Sequence, residues 1–268
     1  MSGTASDDSG ISKVTVNGNV AELNGSNWSY GLTLSINTTH TITIIVTDGA
    51  GNTNTVKRYI RVEAFYQYAA RISGTTVQSS LANTLTNSTV CTAIANNSTA
   101  CTIMKNYYKS NITTYNTSNY SSGLNKLAFI CNARTYLLKG STICTEISSW
   151  NGLTASGSYV KLPSSSTLYY TTSNINFTGF SKIHCDASVN ISNGGNFKFG
   201  VCNSSNHLNG DTSGYWINFL DYKSSVYGTG AKTVNHDVSL SGAQGSYRAK
   251  VFHYANDIAP LISALYIE

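Results

Sequence analysis

The sequence predicts a mainly β protein in three parts: a small N-terminal sandwich, a short helical stalk and a larger C-terminal sandwich. Short runs of alternating apolar residues, separated by Gly- and Asn-containing turns, fill residues 11–62 and return after residue 126. Between them, apolar residues recur three or four positions apart, which is the period of a helix. Only 11% of the 268 residues are charged, and Ser, Thr, Asn, Gly and 18 Tyr take their place. Such a surface interacts through hydroxyls, amides and aromatic rings.

Composition and charge argue against several classes of protein. The chain has 17 basic and 12 acidic residues, a net charge of +5, and its Lys and Arg form no cluster that would follow a phosphate backbone, so we do not expect nucleic-acid binding. No stretch reaches the roughly 18 apolar residues of a membrane span, and no secretory signal opens the chain, so export by a classical signal would need sequence upstream of Met1. The six cysteines form neither a CxxC pair nor a compact Cys/His set, which favours reduced core thiols over zinc ligands.

Residues 1–63 are predicted to form the first sandwich. The alternating segment 11–16 ends at Asn17-Gly18, a strong tight-turn signal, and Trp28, Tyr30, Leu32 and Leu34 then lie two apart, as on one face of a strand. The segments SGTASDDSGISKVTVNG, NWSYGLTL and TITIIVTDGAGNTNTVKRYIRV resemble bacterial immunoglobulin-like repeats of extracellular and phage proteins. The resemblance implies an immunoglobulin-like fold that serves as a spacer or weak adhesion unit. In similar modules an opening strand precedes SGTASD, and here Met1 stands in its place. The resemblance therefore leaves two expectations open, a fragment or a strand supplied from elsewhere.

Three aspartates in turns of this part are candidate calcium ligands. Asp7, Asp8 and Asp48 would offer carboxylate oxygens if their turns met at one end of the sandwich. The alternative is ordinary turn chemistry, in which each carboxylate bonds the nearby backbone. We expect no other cofactor.

Residues 64–125 are predicted to form a helical stalk that contains a ten-residue repeat. NSTVCTAIAN at 87–96 is followed directly by NSTACTIMKN at 97–106, which predicts one continuous helix. Ser, Thr and Asn are poor helix formers, so such a helix needs partners along its apolar stripe, as in a homo-oligomeric coiled coil. The alternative is a helix that packs on its own chain. The predicted oligomerisation residues are Cys91, Ile94, Cys101, Met104, Tyr108 and Ile112.

Two further segments carry a second resemblance. The two units, NSTVCTAI and NSTACTIM, are similar to tandem repeats that precede the terminal domain of tail and fibre proteins from phages and prophages of gut Firmicutes. TYLLKGSTICTEISSWNG at 135–152 resembles the entry to the C-terminal domain of those proteins. The resemblance implies a virion structural protein that forms a homotrimer.

Residues 126–268 alternate throughout and predict a jelly-roll-like β-sandwich, with loops such as Asn193-Gly194-Gly195 between its strands. Its aromatic residues could stack on sugar faces, although alternating aromatics in a sandwich usually fill its core. The predicted ligand-binding residues are Trp150, Tyr215, Trp216, Tyr222 and Tyr227, with Tyr169, Tyr170 and Tyr254 as further candidates.

We expect no enzymatic activity. The sequence has no GxSxG elbow and no Gly-rich phosphate loop, and the acidic residues lie at strand ends and in turns. His236 and Asp237 are adjacent, but neighbouring residues of a strand point to opposite faces, so they are not expected to act together.

These observations favour a phage virion protein, assembled in the bacterial cytoplasm as part of a tail or head fibre. Its partners would be copies of itself, other virion proteins and a host-surface glycan or protein, and multivalency would compensate for weak single sites. One alternative is a set of accessory adhesion or carbohydrate-binding modules from a bacterial surface or secreted protein. Another is a capsid-decorating protein without a ligand, which buried rather than displayed C-terminal rings would support.

Overall fold

The computed structural model describes residues 1–107, 120–163, 168–203 and 216–268. Strands make up 49% of the structure and form several antiparallel sheets, and helices make up 19%. The predicted mainly β class is confirmed. The chain divides into two compact units, Met1–Arg71 and Ile72–Glu268. None of the described helices is both long and apolar enough to cross a membrane.

The first unit has two small sheets around one core. A three-stranded sheet has the order β1-β5-β4, and a four-stranded sheet has the order β3-β2-β6-β7. Buried residues of both sheets, including Val14, Trp28 and Ile42, form one apolar cluster. The strands are β1 (Ser2–Thr4), β2 (Ile11–Val16), β3 (Asn19–Val20), β4 (Glu22–Asn24), β5 (Asn27–Ser29), β6 (Thr38–Asp48) and β7 (Thr53–Val62), followed by helix α1 (Phe65–Ser73).

The predicted turn at Asn17-Gly18 is confirmed, since these residues have φ values of 48° and 84°. The predicted strand through Leu34 is shorter than expected, because β5 ends at Ser29. Leu32 and Leu34 still pack against the core from an irregular segment. Apolar alternation therefore located the buried side chains better than the end of the strand.

Short helices open the second unit. They are α2 (Leu81–Thr84), α3 (Ser88–Asn96), α4 (Ser98–Tyr107) and α5 (Ser122–Ile130). The prediction of one continuous helix over the repeat is wrong, because Asn97 is extended, with φ −108° and ψ 114°. Each repeat begins with an asparagine that caps its own helix: Asn87 Oδ1 accepts from the Thr89 backbone N–H at 2.9 Å, and Asn97 Oδ1 from that of Ala100 at 2.9 Å. The ten-residue period is one cap plus one short helix.

The helical region packs within its own unit, which is the alternative weighed from the sequence. Helix α5 crosses α3 so closely that a Cβ on Gly123 would lie 2.3 Å from the Ser88 carbonyl oxygen. The predicted boundaries differ from the observed division, which falls after Arg71, and position 125/126 lies inside α5. The helices and the following strands therefore belong to one compact unit.

The second unit contains a ten-stranded sheet among its described residues, curled into a half-barrel. The long strands β14 and β17 pair with each other along most of their length, and bulges after Asp186, Ser188 and Ile191 curve the ladder. The elements are β8 (Thr135–Lys139), β9 (Thr142–Ile143), β10 (Thr154–Ser156), β11 (Tyr159–Lys161), β12 (Leu168–Tyr170), β13 (Ile175–Asn176), β14 (Lys182–Cys202), β15 (Trp216–Lys223), α6 (Ser224–Tyr227), β16 (Gly230–Ser239) and β17 (Ser246–Ile267).

The predicted loop at Asn193-Gly194-Gly195 is wrong, because these residues lie within β14. Alternate side chains of this strand, such as Ile183, Cys185, Phe197 and Phe199, enter the main core. The six cysteines form no disulfide. Burial raises the pKa of Cys144 to about 12, so this thiol stays protonated at neutral pH.

Candidate functional site

The face of the large sheet that points away from the main core carries many of the charged and aromatic side chains that the structure describes in the second unit. We call it the second face; it consists of alternate residues of β14 and their cross-strand neighbours, such as His184, Lys198 and Lys250. Its polar residues form two groups, a histidine cluster around His184 and a lysine cluster around Lys198.

The histidine cluster is centred on a ring held between two carboxylates. His184 Nδ1 lies 2.6 Å from Asp237 Oδ1, and Nε2 lies 3.2 Å from Asp186 Oδ1. The ring also stacks on Tyr266, with centroids 4.6 Å apart. Because β14 pairs with β16 at His184 and Asp237, the strand register itself positions the contact.

Basic residues complete the histidine cluster. Lys182 Nζ lies 3.2 Å from Asp237 Oδ2, and Arg134 Nη2 lies 2.7 Å from Glu268 Oε2 while its guanidinium covers the Tyr266 ring. Partial burial acts to raise the pKa of Asp237, but hydrogen bonds from His184 and Lys182 outweigh it and hold this pKa below its usual value. The cluster pairs its charges internally and ties together strands that are distant in sequence.

The adjacent residues His236 and Asp237 point to opposite faces, as the strand geometry predicted. Asp237 bonds His184 on the second face, whereas the His236 ring lies 5.9 Å from Tyr222 on the core side. The sequence did not reveal His184 as the partner of Asp237, because 53 residues separate them.

The lysine cluster surrounds Asp221. Its Oδ2 atom lies 3.2 Å from Lys198 Nζ and 3.2 Å from Lys223 Nζ, and Asn196 Nδ2 donates to Oδ1 at 3.2 Å. Lys198 is only 4% exposed. The Asp221 carboxylate thus stabilises a cation that the sheet removes from water, and the Asn196 amide stabilises that carboxylate by donating a hydrogen bond to it.

Cations beside aromatic rings extend this cluster. Lys250 is fully buried, and its Nζ lies 4.7 Å from the Trp216 ring centroid. Arg248 Nη1 donates to the Thr171 carbonyl at 2.6 Å, and its guanidinium lies 5.8 Å from the Tyr170 ring. These rings contact cations of the chain itself, an attraction that stabilises the buried charge.

The predicted ligand-binding rings do not form one site. Trp216 lies on the second face, whereas Tyr222 is in the core and stacks on Tyr227 at 3.8 Å. Trp150 belongs to the core beside Thr171 and is 9% exposed. Tyr215 lies outside the described residues. Of the further candidates, Tyr169 is 1% exposed, Tyr170 is half-buried and Tyr254 is 49% exposed.

Two of the three candidate calcium ligands line one groove of about 340 Å³ in the first unit. Asp7 Oδ1 accepts from the Ser9 hydroxyl at 2.6 Å and backbone N–H at 2.9 Å, and these hydrogen bonds lower the pKa of Asp7. Asp48 accepts from the backbone and side chain of Asn52, both at 2.8 Å. Asp8 is exposed and does not line the groove. Among the described residues, no three or more His, Cys, Asp or Glu side chains are grouped to hold a metal ion.

The predicted oligomerisation residues are largely enclosed by their own unit. Cys91, Ile94 and Met104 are fully buried, and Cys101 is partly buried. Tyr108 and Ile112 lie outside the described residues. The three buried side chains therefore present no surface to a second chain in this fold.

A buried asparagine joins the helices to the sheet. Asn125 is fully buried; its Oδ1 accepts from the Tyr136 backbone N–H at 2.7 Å, and its Nδ2 donates to the Tyr136 carbonyl at 2.8 Å and to Glu146 Oε1 at 2.8 Å. The Tyr120 hydroxyl donates to the same Glu146 oxygen. Glu146 Oε1 thus accepts hydrogen bonds from two side chains, Asn125 and Tyr120.

No protein-family model and no curated protein sequence matches the chain.

Proposed function

We propose that this chain is a structural protein of a phage virion, part of a tail or head fibre, and acts without catalysis. Its first unit would be an immunoglobulin-like spacer, and its second unit a jelly-roll-like terminal domain. The observation that carries the proposal is the pairing of β14 and β17, strands of 21 and 22 residues that form the spine of a curled antiparallel sheet. A ladder of this length suits a part that bears load or sets a distance.

The burial of aromatic rings and the internal pairing of charges support a structural role over ligand binding for the second unit. Trp150, Trp216 and Tyr222 are each less than a tenth exposed, and the cations near Trp216 contact rings and a carboxylate of the same chain. A sugar-stacking platform needs displayed ring faces, so these three rings favour packing over recognition. The resemblance of segments 87–106 and 135–152 to phage tail and fibre proteins supports the virion location.

Mass spectrometry of purified particles tests the location. Phage particles would be induced from the bacterium that encodes the chain and banded on a density gradient. We expect peptides from both units to band with the particles in proportion to the major virion proteins. Peptides found only in the cell-wall or secreted fraction would overturn the proposal in favour of a bacterial surface protein.

Assembly into a homotrimer is part of the proposal and has its own test. Since Cys91, Ile94 and Met104 are buried within the chain, a trimer would have to form through other surfaces. Light scattering of the full chain should give three times the chain mass of 28.7 kDa. A single-chain mass at all concentrations would remove the trimer from the proposal while leaving the virion location to the particle experiment.

A further inference from the structure

The outer face of the four-stranded sheet in the first unit combines threonines with cations and one tyrosine. Because β6 pairs with β7, Thr39 lies beside Arg61, Thr41 beside Tyr59 and Thr43 beside Lys57. We call these six residues the threonine–cation face. Three of their neighbours, Ile42, Ile44 and Ile60, point the other way and belong to the core. The alternation of the strands thus gathers three hydroxyls, two cations and one ring on a single surface.

The polar groups of this face are open to solvent. Tyr59 is 73% exposed, Lys57 and Arg61 are exposed, and Lys13 extends the face from β2 opposite Thr47. In the part of the chain that the structure describes, Lys13, Lys57 and Arg61 form no salt bridge. No carboxylate points from the outer face of this sheet, whose side chains are Lys13, Thr15, Val20, Thr39, Thr41, Thr43, Ile45, Thr47, Thr53, Thr55, Lys57, Tyr59 and Arg61.

We propose that the threonine–cation face binds a linear acidic glycan or polyol polymer that carries carboxylate or phosphate groups. Lys57 and Arg61 are four residues apart on one strand and so lie about 13 Å from each other, which suits anions spaced along a polymer rather than a single small anion. The threonine hydroxyls between the strands can donate to and accept from sugar hydroxyls, and the Tyr59 ring offers a stacking surface.

Charge and composition favour this occupant over a protein or a nucleic acid. Protein interfaces have an apolar centre, whereas the centre here consists of threonine hydroxyls and one tyrosine. Nucleic acid carries a phosphate on each strand about every 3.4 Å along the helix axis, and three cations more than 10 Å apart would neutralise few of them. This assignment gives the first unit a binding role beyond that of a spacer and does not depend on the virion location.

Binding of the full chain to two immobilised acidic polymers tests the proposal. Biolayer interferometry would compare poly(glycerol phosphate) and polygalacturonate with neutral dextran. We expect salt-sensitive binding to at least one acidic polymer and none to dextran; the polymer bound more tightly identifies phosphate or carboxylate as the preferred anion. No binding to either acidic polymer, or equal binding to dextran, would overturn the proposal.

Matched variants locate the surface. Lys57→Gln combined with Arg61→Gln should weaken binding roughly tenfold, since each exposed ion pair contributes modestly. Arg58→Gln is the control: Arg58 is an exposed cation on the same strand, but it points to the opposite side of the sheet. We expect less than a twofold change for Arg58→Gln and unchanged melting temperatures for all variants.

Two outcomes would contradict the assignment even if binding is seen. An equal loss on Arg58→Gln would mean that the polymer senses overall charge and not this face. Duplex DNA that binds as tightly as the acidic polymers, with the same loss in the Lys57/Arg61 double variant, would reduce the face to a general polyanion attractor. Tyr59→Ala should weaken polymer binding without changing its salt dependence, because the ring contributes contact and not charge.

Discussion

Asp237 makes the stability of the second unit depend on pH. Its pKa is lowered in the folded state by His184 and Lys182, so ionised Asp237 stabilises the fold above the ordinary pKa of 3.8, and this contribution is lost as the pH falls through the lower folded value. We therefore expect the free energy of unfolding of the native chain to fall as the pH decreases below about 4. Asp237→Asn should lower stability at neutral pH and make the decrease of stability below about pH 4 less steep. Urea titrations between pH 3 and 7 would measure both effects.

Asp8→Asn serves as the control for this experiment, since Asp8 is exposed and belongs to the first unit. It should leave the pH dependence of the second unit unchanged. Lys182, Asp186, Tyr266 and Glu268 also face His184 or Asp237. A loss of stability in acid that persists unchanged in Asp237→Asn would contradict the role assigned to Asp237.

A variant of Trp150 tests whether this ring is part of the core or a ligand contact. It belongs to the main core and is 9% exposed, so Trp150→Ala should lower the free energy of unfolding by about 3–5 kcal/mol. Tyr254→Ala removes a ring that is 49% exposed and should change it by less than about 0.5 kcal/mol. Chemical denaturation followed by circular dichroism measures both. A change below about 1 kcal/mol in Trp150→Ala would contradict a core role and reopen ligand binding.

Single residues show what local chemistry can and cannot predict. The turn at Asn17-Gly18 could be predicted because both residue types tolerate positive φ, a property carried by the dipeptide itself. The contact of His184 with Asp237 could not, because it depends on the register between two strands 53 positions apart. The burial of Trp216 and Tyr222 could not be predicted either. Alternation indicates which residues share one face of a strand, but not whether other elements cover that face.

At the scale of elements, the ten-residue repeat was found in the sequence but its meaning was not. Apolar spacing across Asn97 continues a helical period, so periodicity alone joins the two repeats. The asparagine that opens each repeat is instead an N-cap, whose side chain replaces a missing backbone partner and favours a new start. The apolar period predicts one helix and the asparagine cap predicts two, and the structure has two.

Gly123 sets the distance between α3 and α5. An added Cβ would lie 2.3 Å from the Ser88 carbonyl oxygen, and backbone at this position cannot move aside as a flexible side chain would. Gly123→Ala should therefore lower the free energy of unfolding by about 1–3 kcal/mol, although alanine favours helix formation. Thermal denaturation would measure the loss. Gly31→Ala is the control, because nothing lies within 4 Å of its added Cβ; equal stability of the two variants would contradict the close crossing.

The two longest strands, β14 and β17, each run through a stretch whose composition is typical of a loop. Asn193-Gly194-Gly195 has the composition of a loop, and Gly194 does have a positive φ of 77°, but the residues lie inside β14 near a bulge. Residues 247–254 and 261–267 likewise belong to one strand, β17. Glycine and asparagine mark a local bend, and only the partner strand decides whether the bend ends the strand.

At the scale of the molecule, the two units should unfold as separate transitions. Each has its own apolar cluster, with Ile42 at the centre of the first and Phe197 in the second. Ile42→Ala should destabilise the first unit by about 2–5 kcal/mol and shift only one of two calorimetric transitions. Hydrogen exchange would identify which unit opens. A single transition that moves as a whole in Ile42→Ala would show that the units unfold together.

The mainly β class and the presence of helices between two β regions could be predicted, because both follow from local periodicity. The division after Arg71 could not. It depends on α5 crossing α3 at Gly123 and on Asn125 bonding the backbone of Tyr136, contacts that join the helices to the second unit. Such contacts leave no periodic trace in the sequence.

The position of β17 in the chain has a consequence for folding. This strand pairs with β8, β11, β12, β13 and β14, all of which precede it, and its partners begin as far back as Thr135. During synthesis on the ribosome, none of these ladders can form until β17 has left the exit tunnel. The first unit needs no such wait, because its strands are neighbours within about 60 residues. The chain should therefore acquire its second core late, and while it waits, the apolar side of β14 is the segment most in need of a chaperone.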